Sequence, residues 1–540
     1  MMKETLCTVG AALVFLLSCA TLSSADTVSE YINKMTLREK VGQLMLLGIQ
    51  GQGVDAKDTA HIRKINPGGV IFYGRNLKNA DDIPRLISGI KTLFSKGGLP
   101  MFFAVDQEGG LVHRVEGEMY RPPSAPAIGA ANSEKLSREV GQSVGAALKA
   151  LGINVNLAPV LDVPADIRSS PMAMRSFSSD PIAVARMGSA YIRGLRDAGV
   201  LATAKHFPGI GRTNKDSHRG ITRIIWESPD ERDNDTMPFR TAVQEGVDII
   251  LMGHFIAEPG DAANLVSLST YWMKEVLREE MGFKGLILAD NIEMKAIKEA
   301  MSIQEAAVRS FQSGADIIMV SHEKRNQEKV FNALLDAVRE GVVSRQRLNE
   351  SLRRIIETKL RITKSREGAF KSSLEQVGRS VAEASITYLR AKDASPFAIG
   401  KETSVLYLGY NPILFNELRN FVAHAEMLNT TLVNYGRTMP DTPVSEFIEK
   451  FDVVIMDAGY TDEGEIISLC NKLNKEYVVI LGLPGRFQET IDRLAPRRIV
   501  LTFENTTTHL HVALEILSGT IQANGRLPYN LTLPKKYIYN

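Results

Sequence analysis

The sequence predicts an α/β protein: a (β/α)8 TIM-like barrel followed by a smaller α/β domain, flavodoxin-like or sandwich in build. Two observations carry this. Eight short apolar runs, each bounded by Gly, Pro or charge, recur over about 300 residues, with segments of helical periodicity between most of them. The runs are apolar almost throughout rather than alternating, the pattern of a parallel sheet covered on both faces. An open doubly wound sheet is the rival, and it usually ends after fewer strands.

The runs are Gln43 to Gly48, Gly69 to Tyr73, Met101 to Val105, Val155 to Leu161, Leu201 to Ala204, Asp248 to Met252, Leu286 to Ala289 and Asp316 to Val320. A helix starts ahead of the first, where Thr36 can cap and Glu39, three residues on, completes a capping box. Helical periodicity marks Ile83 to Phe94, Ser133 to Ala150, Ile182 to Ala198, Tyr271 to Met281 and Ile303 to Ser313. Ser344 to Lys359 reads as an amphipathic helix closing this domain, and the polar stretch Thr363 to Lys371 as a linker. The domain bounds are thus 26–371 and 372–540. The second domain repeats the pattern in Val405 to Leu408, Thr431 to Val433, Val453 to Met456, Val478 to Leu481 and Ile499 to Phe503. No glycine-rich phosphate loop follows these runs, which argues against a nucleotide site.

Lys3, the apolar run Val9 to Leu17 and small residues through Ala25 read as a signal peptide over residues 1–25. Export to the periplasm or cell envelope is the expectation. Leu16-Leu17-Ser18-Cys19 offers a second reading, a lipoprotein site with Cys19 acylated, the one membrane link expected. Of three cysteines, two lie in this region, so Cys470 has no partner for an intrachain disulfide. A net charge of +2 makes no case for nucleic acid.

Barrel active sites lie at the C-terminal ends of the strands. Those ends carry Asp106, Asp162, Lys205 with His206, His254 and Asp290. Desolvating that much charge costs several kcal/mol per ion unless it is paired, so five polar ends on one rim point to function. The fifth run leads through Pro208 and Gly209 into a polar loop bearing Asp216 and His218.

These residues resemble glycoside hydrolase family 3, in its branch of bacterial β-N-acetylglucosaminidases. The resemblance rests on Met35-Thr36-Leu37-Arg38-Glu39-Lys40-Val41-Gly42-Gln43-Leu44, on Val105-Asp106-Gln107-Glu108-Gly109-Gly110 with Arg114, and on Arg175-Ser176-Phe177 with Asp180-Pro181. It continues in Lys205 to Gly211, Asp216-Ser217-His218, and Leu288-Ala289-Asp290 with Met294. The resemblance implies a retaining exo-acting enzyme that releases terminal GlcNAc from peptidoglycan fragments or chitooligosaccharides. Asp290 would be the nucleophile, His218 the acid/base and Asp216 its orienting partner. Asp106, Arg114, Arg175, Lys205 and His206 would bind the sugar. The implied mechanism needs no metal or organic cofactor.

Glu108 and Asp162 are expected to be structural and bonded to backbone, and His254 is left outside the site. Trp226, Trp272 and Tyr73 could stack on sugar, but single aromatics more often pack. Three positions depart from the family pattern: Ile210 for His, Arg212 for Asp and Leu111 for Arg. The alternatives are a β-glucosidase or β-xylosidase of the same family, transfer to phosphate instead of water, and a weakly catalytic saccharide-binding envelope protein.

Overall fold

The computed structural model describes residues 27–94, 99–117, 121–215, 219–364, 373–395, 397–409, 411–428, 444–457, 463–482, 487–529 and 534–539. The expected signal region with Cys19, the run Thr431 to Val433, most of the linker and its boundary at 371, and the Asp216-Ser217-His218 triplet lie outside the described residues.

Eight strands close into a parallel barrel: β1 (Met45–Gly48), β2 (Gly69–Phe72), β3 (Phe102–Val105), β4 (Val155–Asn156), β5 (Leu201–Phe207), β7 (Ile249–Met252), β9 (Leu286–Ala289) and β10 (Ile317–Val320). All eight expected runs are barrel strands. Closure is made by β1, whose Leu46 faces Gly69 of β2 on one side and Met319 of β10 on the other. Two short strands outside the barrel, β6 (Arg223–Ile225) and β8 (Ile256–Glu258), form their own parallel pair at the rim. The strand β4 is shorter than its apolar run. Pro159 has no N–H to give a ladder, and the chain regains pairing with β5 in a single bridge, Val160 to Lys205.

Helices follow the expected segments closely. Thr36 accepts from the Glu39 N–H, and the Glu39 carboxylate accepts from the Thr36 N–H at 2.7 Å, so the capping box is formed. The segment Tyr271–Glu280 differs in winding: it is a π-helix, and its end is closed by the Met281 N–H donating to the Val276 carbonyl.

The second domain holds β11 (Thr387–Ala391), β12 (Ser404–Leu408), β13 (His424–Leu428), β14 (Val453–Asp457), β15 (Glu476–Leu481), β16 (Arg498–Leu501) and β17 (Tyr537–Tyr539). Their order is β13-β12-β14-β15-β16-β11-β17. The five parallel strands from β13 to β16 run in the flavodoxin-like order 2-1-3-4-5, and β11 and β17 add an antiparallel margin. Side chains alternate between two cores, as period two demands. Val405 and Tyr407 join the core under helices Pro412–Phe421 and Thr507–Leu517, whereas Leu406 and Leu408 join the larger core shared with the barrel.

The domains are joined by packing and by hydrogen bonds. Leu374, Val377 and Val381 of the helix Leu374–Ser385 belong to the barrel's core cluster. Ser124 donates its N–H to Glu504 and its hydroxyl to the Phe503 carbonyl. The Tyr529 hydroxyl donates to the Ala173 carbonyl at 2.7 Å. Among the described residues, no helix is long and apolar enough to cross a membrane.

Candidate active site

The site begins at the end of β3. Asn156 and Gln107 exchange amide hydrogen bonds, and Gln107 Oε1 accepts from the N–H groups of Arg114 and Val115. This folds residues 107–115 into a tight loop. Gly109 sits at φ +100, where a Cβ would lie 2.4 Å from the Pro123 carbonyl oxygen, so the turn requires glycine.

Four charges then link in a chain. Lys205 Nζ donates to Asp106 at 2.7 Å and contacts Glu108 at 2.5 Å. Arg175 grips Glu108 with both Nε, at 2.8 Å, and Nη2, at 2.7 Å. Burial alone would raise the Glu108 carboxyl, but Arg175 and then Lys205 outweigh it and hold the group well below the usual carboxylate range. Burial pulls Lys205 and Arg175 down, yet Asp106 and Glu108 for the first, and Glu108 for the second, lift them above their ordinary values. Glu108, Lys205 and Arg175 therefore hold their charges in place before any ligand arrives. Glu108, expected to bond backbone, is instead the clamp between two cations.

His206 is held by a separate carboxylate. Asp162, fully buried, accepts from the ring Nδ1 at 2.8 Å, from the His206 N–H and from the Ile210 N–H. The expected backbone role of Asp162 is present, and orientation of the imidazole is added to it. This contact fixes the plane of the His206 ring at the end of β5.

Asp290 follows β9 and is held by its own N–H to the Met252 carbonyl and by the Asn291 N–H donating to Oδ1 at 2.7 Å. His254 lies behind it, bonded to Ser267 and to the Asn291 carbonyl, so it supports the loop instead of facing the cleft. Glu293, three residues on, accepts from the N–H groups of Ser321, His322 and Glu323 and from Asn326. It thereby ties the Asp290 loop to the loop after β10.

One cleft of about 400 Å³ gathers these groups. Its walls include Asp106, Arg114, Arg175, Lys205, His206 and Asp290, six of the eight residues singled out in the sequence. Arg114 Nε is buried without a hydrogen-bond partner among the described residues. The other two, Asp216 and His218, lie outside the described residues. The base of their loop is braced on both sides. Thr213 and Thr222 share a hydroxyl hydrogen bond, and Arg212 pairs with Asp235 at 2.7 Å and Glu231 at 3.0 Å.

Tyr73, expected more often to pack than to stack on sugar, lines the cleft, as do Glu293, Lys295 and His322, which were not singled out. His322 follows β10, so reading the end of that strand as well would have found it. Burial first, and Asp106 second, push the Tyr73 phenol above its ordinary value, so it stays a neutral donor. Trp226 and Trp272 pack on each other in the core, 5.6 Å between ring centres, and do not line the cleft.

The arrangement offers a carboxylate beside fixed cations and an imidazole, around a space for one polar ring. Comparison with known proteins agrees. The pattern of the glycosyl hydrolase family 3 N-terminal domain matches residues 36–358. A β-hexosaminidase of Tolumonas auensis is 33% identical over 295 residues, covering 54% of this chain and 86% of that protein. Beta-hexosaminidase A of Pseudoalteromonas piscicida is 30% identical over 328 residues; the match takes in 56% of this chain and spans 55% of that relative's length. A solved glycoside hydrolase family 3 β-N-acetylglucosaminidase from Paenibacillus sp. str. FPU-7 superposes with a TM-score of 0.81 at 28% identity, over 93% of this chain and all of that one. On its fold, its cleft and a family match across the whole barrel, the chain belongs to glycosyl hydrolase family 3.

Proposed function

We propose that the protein is a retaining exo-β-N-acetylglucosaminidase acting on terminal β-linked GlcNAc of peptidoglycan fragments or chitooligosaccharides. The observation that carries the reading is Asp290 at the end of β9, in a cleft of about 400 Å³ that also gathers Lys205, Arg175, Arg114 and His206. The relatives' names, β-hexosaminidase and β-N-acetylglucosaminidase, support the choice of sugar.

Asp290 attacks the anomeric carbon as the glycosidic bond breaks, giving a covalent glycosyl-enzyme. His218 protonates the leaving oxygen, then deprotonates the water that releases the sugar. Asp216 holds the imidazole and stabilises its cation. The Lys205–Glu108–Arg175 chain cannot relax toward the sugar, so Asp106, Lys205, Arg175 and Arg114 meet its hydroxyls and 2-acetamido group in fixed positions, without reorganisation at the transition state.

The test is hydrolysis of chromogenic β-GlcNAc against β-glucoside, with Asp290→Ala and His218→Ala alongside. The reading expects GlcNAc preference, turnover abolished by the first change and cut by roughly two to four orders of magnitude by the second. Preference for β-glucoside with His218→Ala unaffected would move the protein to the β-glucosidase branch. Faster release in phosphate than in other buffers, with a sugar phosphate as product, would make it a phosphorylase.

A further inference from the structure

The chain has a second cleft at the opposite end of the barrel, and its floor is a buried cation. Lys359, 1% exposed, sits under the N-terminal ends of the strands. Its Nζ donates to Gln43 Oε1 at 2.7 Å and lies 5.1 Å from the centre of the Phe102 ring. Neither neighbour carries a negative charge, and Lys359 is in no ion pair among the described residues. A buried ammonium without a counter-charge is unusual, because burying an ion costs several kcal/mol unless it is paired.

The cleft above it has a volume of about 780 Å³. Lys34, Arg38, Arg63 and Lys64 stand around it, with Glu39 the one carboxylate in its wall. Glu39 is committed to the capping box with Thr36. Lys34 and Lys64 are paired with Glu30 and Glu328, whereas Arg38 and Arg63 have no carboxylate partner among the described residues. Beside polar Thr36, Gln43 and Asn66, the wall has an apolar side that includes Ile65, Leu93, Leu99 and Met101.

We propose that this basal cleft binds an amphipathic organic anion, its carboxylate drawn to Lys359 and the arginines and its apolar body laid against Leu99 and Met101. Charge selects the head group and the apolar wall selects the tail, so a compact inorganic anion would satisfy half of the site. Burial by itself pulls the Lys359 amine down to about 7. An anion beside it restores the charged form, so binding tightens as pH falls from 8 to 6. The other charged or titratable groups facing the cleft are Arg38, Arg63, Lys34, Lys64, Glu39 and Tyr31.

Isothermal titration of the full chain with decanoate tests the proposal, with 1-decanol and inorganic phosphate as the neutral and the non-amphipathic controls. The expected result is saturable decanoate binding, tighter at pH 6 than at pH 8. Lys359→Met, which keeps the volume and deletes the charge, should weaken it at least tenfold. Arg63→Glu changes an exposed side chain and leaves the core intact, and should weaken it several-fold if Lys359→Met does not fold. Both variants should hydrolyse the chromogenic substrate at the wild-type rate, since neither residue touches the catalytic cleft. No saturable decanoate binding, equal binding of decanol or phosphate, or unchanged binding in Arg63→Glu would overturn the proposal.

Discussion

Glu108→Gln is the sharpest probe of the catalytic cleft, because it removes a charge and keeps the shape. Glu108 serves two cations at once. Lys205 retains Asp106 at 2.7 Å, so the loss falls on Arg175. Breaking a buried pair from one side costs about 3–5 kcal/mol. The Arg175 side chain is 18% exposed and can recruit water, which places the loss near the lower end, about 3 kcal/mol. With a urea slope of about 3 kcal/mol/M, the unfolding midpoint falls by about 1 M. The pH dependence has a definite sign. A carboxylate depressed from 4.5 contributes stability that is present above 4.5 and is lost as pH falls toward its folded value. The gap between wild type and Glu108→Gln is therefore full at pH 7 and narrows below about pH 4.5. Urea unfolding of both proteins at pH 7 and at pH 4 measures it. A midpoint within about 0.2 M of wild type at pH 7, as for a surface change, would refute the view of these four charges as one energetic unit.

The three departures from the family pattern give graded expectations. Ile210→His restores the family residue at a position 3% exposed in the core, so it should cost about 1–3 kcal/mol in urea unfolding unless the imidazole finds a partner. Leu111→Arg, at a position 62% exposed, should change stability by no more than about 0.5 kcal/mol. Arg212→Ala leaves Asp235 buried without its cation. Burial already lifts that carboxyl to about 6 against the pull of Arg212 and Trp226. A raised carboxylate penalises the fold above its folded value and not below its unfolded one, so Arg212→Ala should destabilise more at pH 8 than at pH 5. A loss equal at both values would show that Arg212 acts through packing alone.

The barrel was legible because each strand, buried on both faces, is written as an unbroken apolar run that no surface segment imitates. The second domain was harder. His424–Leu428 is a margin strand that is largely exposed, and its sequence His-Ala-Glu-Met-Leu has no apolar block to find. Thr387–Ala391 and Tyr537–Tyr539 are equally weak in pattern, since their antiparallel pairing depends on distant partners. In the cleft, the residue types at strand ends were readable from position. Their pairing was not: that Glu108 would meet Arg175 and Lys205, or Asp162 the His206 ring, depends on loops 44 to 97 residues apart closing on one another. Arg212 is instructive in the same way. The sequence marks it only as a departure from the family pattern, but Glu231 and Asp235, 19 and 23 residues further on, absorb its charge.

The helix Leu374–Ser385 has a consequence for how the chain is made. Its buried face joins an apolar core shared by the barrel and the second domain's sheet. Synthesis runs from the N-terminus, so the barrel emerges while that covering helix and the sheet behind it are still unmade. At about 5–20 residues per second, the rest of the chain takes on the order of ten seconds or more to follow. Through that interval the barrel carries an uncovered apolar strip beside helices Ala125–Ala131 and Glu134–Ala150. It is during this wait, more than in the finished protein, that a chaperone or a neighbouring nascent chain has something to hold.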